Sequence, residues 1–169
     1  SLLRALGIHD PRQLNLEALW GQRRSQADPK WMTFPVGLRR NGELQQLIVR
    51  AKDTGGFGFH GLVPGTTGSG KSETFLAASF SLFLTHSPMV ANVVMVDMKF
   101  DSAAQDMQGI PHVPAALSNL GDDKRHLAER MRMTLHGELK RRYELLASVG
   151  VRDVGVYEEV RRNRIGQGL

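Results

Sequence analysis

The chain has 169 residues, with 22 Lys and Arg against 17 Asp and Glu, a formal net charge of +5. The length suits a single domain with a sizeable core, and 41% hydrophobic with 23% charged residues excludes disordered, collagen-like and low-complexity classes. There is no cysteine, so disulfides and thiolate metal sites are excluded, which fits a reducing compartment.

The longest mostly apolar stretch, Phe75 to Leu84, is interrupted by Ser79 and Ser81 and amounts to about half a bilayer span. No secretory signal opens the chain. Its start at Ser1, without Met, reads as a piece cut from something longer. The mild positive surplus could serve a nucleic acid, an anionic membrane or an acidic partner, but plain solubility is the favoured reading.

Residues 1–53 read as a lead-in. Leu2, Leu3, Leu6 and Ile8 predict a short amphipathic helical turn stopped by Gly7; Asp10-Pro11 restarts the chain, and Leu14, Leu16, Leu19 and Trp20 supply another small apolar face. Trp31 to Leu38 and Leu44 to Val49 flank Arg40-Asn41-Gly42-Glu43. Asn-Gly tolerates the positive φ angles of a type I′ turn, so a β-hairpin is predicted here. The stretch Thr54 to Phe59 is glycine-rich and reads as a connector.

Residues 54–169 carry a different pattern. Gly61-Leu62-Val63 predicts a short buried strand, followed by a glycine-rich loop and a helix from Lys71 to His86 that Ser87-Pro88 ends. Asn92 to Met98 is an apolar run suited to a strand covered on both faces of a parallel sheet. Strand, crossover helix and strand make a right-handed βαβ unit. Gly109-Ile110-Pro111-His112 predicts a turn, Ala115 to Leu117 a short strand, and Asp122 or Asp123 a helix N-cap. Leu127, Met131, Leu135, Leu139, Tyr143 and Leu146 then mark one helix of roughly 40 Å ended by Gly150. A shorter helix follows from Asp153 to Arg162. There are no internal repeats.

Gly65-Thr66-Thr67-Gly68-Ser69-Gly70-Lys71-Ser72 satisfies G-x-x-x-x-G-K-[ST], the phosphate-binding loop. Its glycines let the backbone curl so that successive N–H groups converge on one anion, and the helix opening at Lys71 adds the positive end of its dipole. The Lys71 ammonium is suited to β- and γ-phosphates and the Ser72 hydroxyl to Mg²⁺. Glu73, in the helix's first turn, reads as an acid favoured by the dipole.

Hydrolysis also needs an apolar strand ending in an acid. Val93-Val94-Met95-Val96-Asp97 has that form, and spacing alone leaves metal-shell duty for Asp97 open. Val154-Gly155-Val156-Tyr157-Glu158-Glu159 fits a capped helix better. The histidines offer no ligand-like pairs: His60 and His112 read as packing or turn residues, and His86, His126 and His136 lie on or at the ends of helices. No zinc site is apparent.

These residues, taken in order, resemble the FtsK/SpoIIIE-type ATPases and, within them, the EccC/EssC ATPases of type VII secretion systems. The resemblance rests on His60-Gly61-Leu62, Gly65 to Glu73, Thr85-His86-Ser87-Pro88, Val96-Asp97-Met98-Lys99, Gly109 to Val113 and Ser118-Asn119-Leu120. It continues through Glu138 to Leu146, Gly150 to Asp153 and Tyr157. It implies a RecA-like α/β P-loop NTPase, a mostly parallel sheet flanked by helices, here truncated.

By the same resemblance, ATP with Mg²⁺ binds at Gly65, Thr66, Thr67, Gly68, Ser69, Gly70, Lys71, Ser72 and Glu73, with Lys71 catalytic and Ser72 the metal residue. The implied partners are further ATPase modules of one motor, secreted helical proteins and a membrane secretion complex. The implied assembly is a ring, with nucleotide at subunit borders and an arginine supplied by a neighbour. The implied place is the cytoplasmic face of the cell membrane, with the anchor elsewhere in the parent chain. In this family the Asp97 strand carries Asp-x-Lys, and the catalytic Asp-Glu strand comes later, beyond Leu169. Asp97 and Lys99 then become structural or sensing residues. Two departures stand out: Phe100-Asp101-Ser102-Ala103 replaces glycines after Lys99, and Phe57-Gly58-Phe59 replaces Met-Gly-Pro.

Two rival functions remain at this stage. A DNA translocase of the same family would use Lys140-Arg141-Arg142 and Arg161-Arg162-Asn163-Arg164, but Glu138 and Glu144 flank the first run and no aromatics interleave for base stacking. A nucleotide-binding scaffold without turnover is the other.

Overall fold

The computed structural model describes residues 9–20, 28, 30–97, 106–118 and 125–166. They belong to two units, one of Ser1–Arg24, Asp28–Val94 and Gly109–Pro114, the other of Ser25–Ala27, Met95–Gln108 and Ala115–Leu169. The expected helical turn at Leu2 to Ile8, the Asp122/Asp123 cap and Lys99 lie outside the described residues.

In the first unit, Pro11–Gln13 form a single 3₁₀ turn and Leu16–Trp20 a short helix, α1. Asn15 caps α1, its Oδ1 accepting the Ala18 N–H at 3.0 Å. The hairpin forms as expected from strands β1 (Thr33–Leu38) and β2 (Leu44–Ile48), antiparallel with Leu38 opposite Leu44. Its turn is not type I′. Pairing Leu38 with Leu44 leaves five residues between them, and Gly42 alone takes a positive φ, 84°. The Gly42 N–H donates to Arg39 O at 3.0 Å and the Arg39 N–H to Glu43 O at 2.8 Å. That is the longer hairpin loop closed by a left-handed glycine. Pairing also skips Val36 between Pro35 and Gly37, next to a proline with no N–H to give.

After β2 the connector is not slack. Lys52–Thr54 make a 3₁₀ turn ended by left-handed Gly55, and the Phe57 and Gly58 N–H groups donate to Ile48 O and Arg50 O. Gly56 lies so close to the Arg50 carbonyl that a Cβ there would strike it. Here glycine is a requirement of close approach.

Helix α2 (Lys71–Thr85) is the spine of this unit. Its C-terminal half is buried at Ser81, Leu82, Phe83 and Thr85, the helix packs on β1, and Phe34 of β1 and Ala91 are buried too. Its last carbonyls are closed by named donors: the His86 N–H reaches Leu82 O at 2.8 Å, and the Trp20 indole N–H reaches Phe83 O at 2.9 Å. The His112 imidazole, stacked on Phe83 at 4.7 Å between centroids, bonds His86 O at 2.7 Å.

One expected strand is absent. Residues 61–63 lie outside any strand, and Leu62 is 89% exposed. A strand needs a ladder partner, and among the described residues none pairs with this segment; β3 (Val94–Asp97) and β4 (Ala115–Ser118) pair with each other instead. Nor is β3 covered on both faces: its burial alternates, with Val94 and Val96 exposed. The periodicity of a half-covered strand replaces that of a buried one.

In the second unit, Met107 and Leu146 are buried. The predicted long helix is α3 (Arg125–Ser148), about 36 Å at the standard rise. It ends in a Schellman turn: Gly150 takes φ 72°, and the Gly150 and Val151 N–H groups bond Ala147 O and Leu146 O at 3.0 Å. Of its apolar stripe, Leu135, Leu139 and Tyr143 remain exposed. Helix α4 (Val154–Gly166) starts as expected at Asp153, whose Oδ1 accepts the Gly155 N–H at 2.6 Å.

Candidate functional site

The candidate site is the loop between Gly65 and Ser72, at the N-terminus of α2. Gly70 is the N-cap of that helix in the left-handed region, φ 82°, and Gly68 takes φ 79°. Two left-handed glycines on either side of Ser69 reverse the chain within one turn, a conformation that disfavours side chains with a Cβ. The Ser69 N–H donates to Thr66 O at 3.2 Å and the Thr74 N–H to Gly70 O at 2.9 Å. At the loop's start, a Cβ on Gly65 would come within 2.5 Å of Ser69 Oγ.

Lys71 reaches into this curl. Its ammonium donates to Gly65 O at 2.6 Å, to Thr66 O at 2.5 Å and to Ser69 Oγ at 3.4 Å. The positive charge therefore sits inside the loop. Residues Gly65 to Gly70 are exposed and Lys71 is half-buried, so the loop is open to a polyphosphate. Ser72, Glu73 and Thr74 form the first turn of α2 with Lys71; Thr74 Oγ1 bonds Gly70 O at 2.9 Å.

The donor set fits a magnesium–nucleotide pair: backbone amides free of Cβ crowding, one ammonium, a helix N-terminus and a hydroxyl in the first turn. Gly65, Thr66, Thr67, Gly68, Ser69, Gly70, Lys71, Ser72 and Glu73 thus come together as one continuous piece of chain. Asp97 is the last residue of β3, in the second unit.

Two residues of the first unit escape any reading by spacing. His86 and His112 are fully or almost fully buried, held together by a bond between residues 26 apart in sequence. Neither lies in a periodic pattern that would announce it. Both stand in motifs that carry the family resemblance, but by spacing alone the Ser87-Pro88 stop beside His86 is the one local signal, and it speaks only of a helix end.

The basic run at Lys140-Arg141-Arg142 is occupied by its own helix. Glu138 accepts from Arg141 Nε at 2.7 Å and Arg142 Nε at 2.8 Å, and Lys140 pairs with Glu144 at 3.8 Å. Hydrogen bonds from Arg141, then Arg142, hold the Glu138 carboxyl down at about 2.

Comparison with known proteins gives a consistent result. ESX-5 secretion system protein EccC5 of Mycobacterium marinum is 38% identical over 168 residues, 99% of this chain and 12% of the relative. ESX-3 secretion system protein EccC3 of Mycobacterium tuberculosis is 38% identical over 145 residues, 86% of this chain and 11% of the relative. The chain thus spans about an eighth of the length of the curated relatives it matches. Among solved structures, the cytoplasmic domain of the Thermomonospora curvata type VII secretion ATPase EccC superposes with a TM-score of 0.84 at 36% identity, over 96% of this chain and 19% of that one. The expected α/β P-loop fold stands on that superposition. The FtsK/SpoIIIE family profile matches residues 19–168, and the chain belongs to that family.

Proposed function

We propose that this chain binds ATP with Mg²⁺ at Gly65 to Ser72 as a motor module of a type VII secretion ATPase. The observation that supports it most is the Lys71 ammonium lodged in a curl of left-handed glycines at the start of α2. In this reading the loop amides and the α2 dipole hold the phosphates, and Lys71 exchanges its carbonyl contacts for β- and γ-phosphate oxygens. The Ser72 hydroxyl holds Mg²⁺, which neutralises charge developing on the transferred phosphoryl group. Glu73 supports the helix start.

Residues 1–53 serve as the lead-in and 54–169 as the ATPase portion. The partners are further modules of the same motor arranged in a ring, a membrane secretion complex, and small helical proteins as cargo, which fits the resemblance to EccC proteins. In this reading the acid that activates water belongs to a strand after Leu169, and Asp97 and Lys99 act as structural or sensing groups. The Glu138 pairs with Arg141 and Arg142 favour this over a DNA-tracking reading, because they engage two of the cations a phosphate backbone would need.

The test is nucleotide affinity in wild type and Lys71→Ala. Loss of charge-assisted hydrogen bonds to phosphate is expected to weaken binding by about 1.5–3 kcal/mol. Equal affinities would sink the cradle. ATPase rates of the chain alone and of the natural longer protein, each with and without Asp97→Asn, test the assignment of the catalytic acid; a rate in the chain alone that vanishes in Asp97→Asn overturns it.

A further inference from the structure

The loop Gly65 to Gly70 is exposed throughout and runs directly into α2, with Gly70 as its N-cap. That helix is itself exposed through its first turns and buried only at its other end, at Ser81, Leu82, Phe83 and Thr85. At that end sits His86, fully buried, where two distant segments meet.

The first segment is the approach to β1. His86 Nε2 accepts the Met32 backbone N–H at 2.9 Å. An amide can only donate, so Nε2 presents its lone pair and the neutral ring carries its proton on Nδ1. Nδ1 faces Thr85 Oγ1 at 2.9 Å, and the Thr85 hydroxyl donates to Ser81 O at 2.7 Å. The relay is consistent in direction: His86 Nδ1–H to Thr85 Oγ1, then Thr85 O–H to Ser81 O. Met32 is also the only non-glycine residue of positive φ, 49°, among the described residues. Its N–H is fixed by His86 and its carbonyl accepts the Val49 N–H at 2.9 Å. The second segment is the turn at Gly109 to Val113, whose His112 bonds His86 O. Trp20 of α1 adds its indole bond to Phe83 O and an edge contact to His112 at 5.7 Å.

We infer that His86 is a positioning residue for nucleotide binding: it braces α2 against the lead-in at Met32, so that the phosphate loop at the far end of the same helix is held in binding geometry. This rests on the nucleotide reading above. The brace also gives the lead-in a use, since displacement of Met32 or Trp20 is transmitted along one rigid helix to Lys71.

The test compares wild type, Lys71→Ala, His86→Gln, His86→Leu and Trp20→Phe in the full chain. The readouts are affinity for a fluorescent ATP analogue with Mg²⁺, thermal midpoint, and hydrogen exchange at the Met32 amide. Gln places an acceptor near the position of Nε2, whereas Leu fills the site with none. His86→Leu is expected to expose the Met32 amide to faster exchange and to weaken nucleotide binding on the order of tenfold, with His86→Gln restoring both. Lys71→Ala is expected to lose binding with the Met32 amide still protected, which a general loss of structure would not give. Should His86→Leu fail to fold, Trp20→Phe, which keeps an aromatic ring but loses the bond to Phe83 O and part of the indole's packing, must still weaken binding severalfold. Wild-type affinity in folded His86→Leu, or in Trp20→Phe where His86→Leu does not fold, alongside a loss in Lys71→Ala, overturns the brace and leaves the nucleotide site standing. No binding by the wild-type chain overturns both.

Discussion

At the scale of single residues, glycine and histidine carry most of what is specific here, for opposite reasons. Gly70 and Gly68 are needed for where the backbone goes: their φ angles near 80° cost an L-residue with a Cβ about 1–2 kcal/mol each. Gly70→Ala should lower stability by about that amount and weaken nucleotide binding, read by denaturant unfolding and by titration. Gly56→Ala meets the Arg50 backbone, which cannot rotate away as a side chain would. A loss of about 1–3 kcal/mol is expected there, whereas Gly137→Ala, in open space on α3, should stabilise by a few tenths to about 1 kcal/mol. His86 depends instead on what surrounds its side chain, since both ring nitrogens are committed to partners set by the fold.

At the scale of elements, α4 and α3 show how much local chemistry suffices. Asp153 caps α4 through two backbone N–H groups, and Asp153→Ala should cost about 1 kcal/mol, visible as lost helicity and a lower midpoint. On α3, Glu138 holds a depressed pKa of about 2 because it accepts from Arg141 and Arg142. A carboxylate whose folded pKa is lowered contributes above its unfolded value, near 4.5, and that contribution disappears as pH falls towards 2. Helical circular dichroism should therefore drop between those values, and Glu138→Gln should flatten that portion of the curve. The pair is solvent-exposed, so the change is small and shrinks in salt. The apolar stripe that betrayed α3 in the sequence gave its period correctly, while Leu135, Leu139 and Tyr143 stay exposed: a helix repeats regardless of what covers it. The hairpin teaches the same lesson. Asn41-Gly42 announced a turn, but the turn type followed from the register of Leu38 with Leu44.

At the scale of the whole molecule, nucleotide binding should appear as stability. Mg²⁺–ATP at a hundredfold excess over its dissociation constant adds about 2.7 kcal/mol if it binds only the folded chain. The thermal midpoint should rise accordingly in wild type and stay unmoved in Lys71→Ala. A rise that survives in Lys71→Ala would place the nucleotide elsewhere. Among the described residues no helix is long and apolar enough to cross a membrane, consistent with the short run at Phe75 to Leu84.

The phosphate loop was legible in the sequence because its chemistry is local: eight consecutive residues specify the curl, the charge and the helix start without help from distant chain. The same holds for the Asp153 cap and the Schellman turn at Gly150. What no local pattern contained is the junction of Trp20, Met32, His86 and His112, whose bonds span 63, 54 and 26 residues. Burial of a polar ring is decided by which segments the core brings together, and only there do its hydrogen bonds find partners. Strand identity at residues 61–63 was likewise outside the sequence's reach, since a ladder belongs to two segments and one of them alone cannot show whether the other arrives.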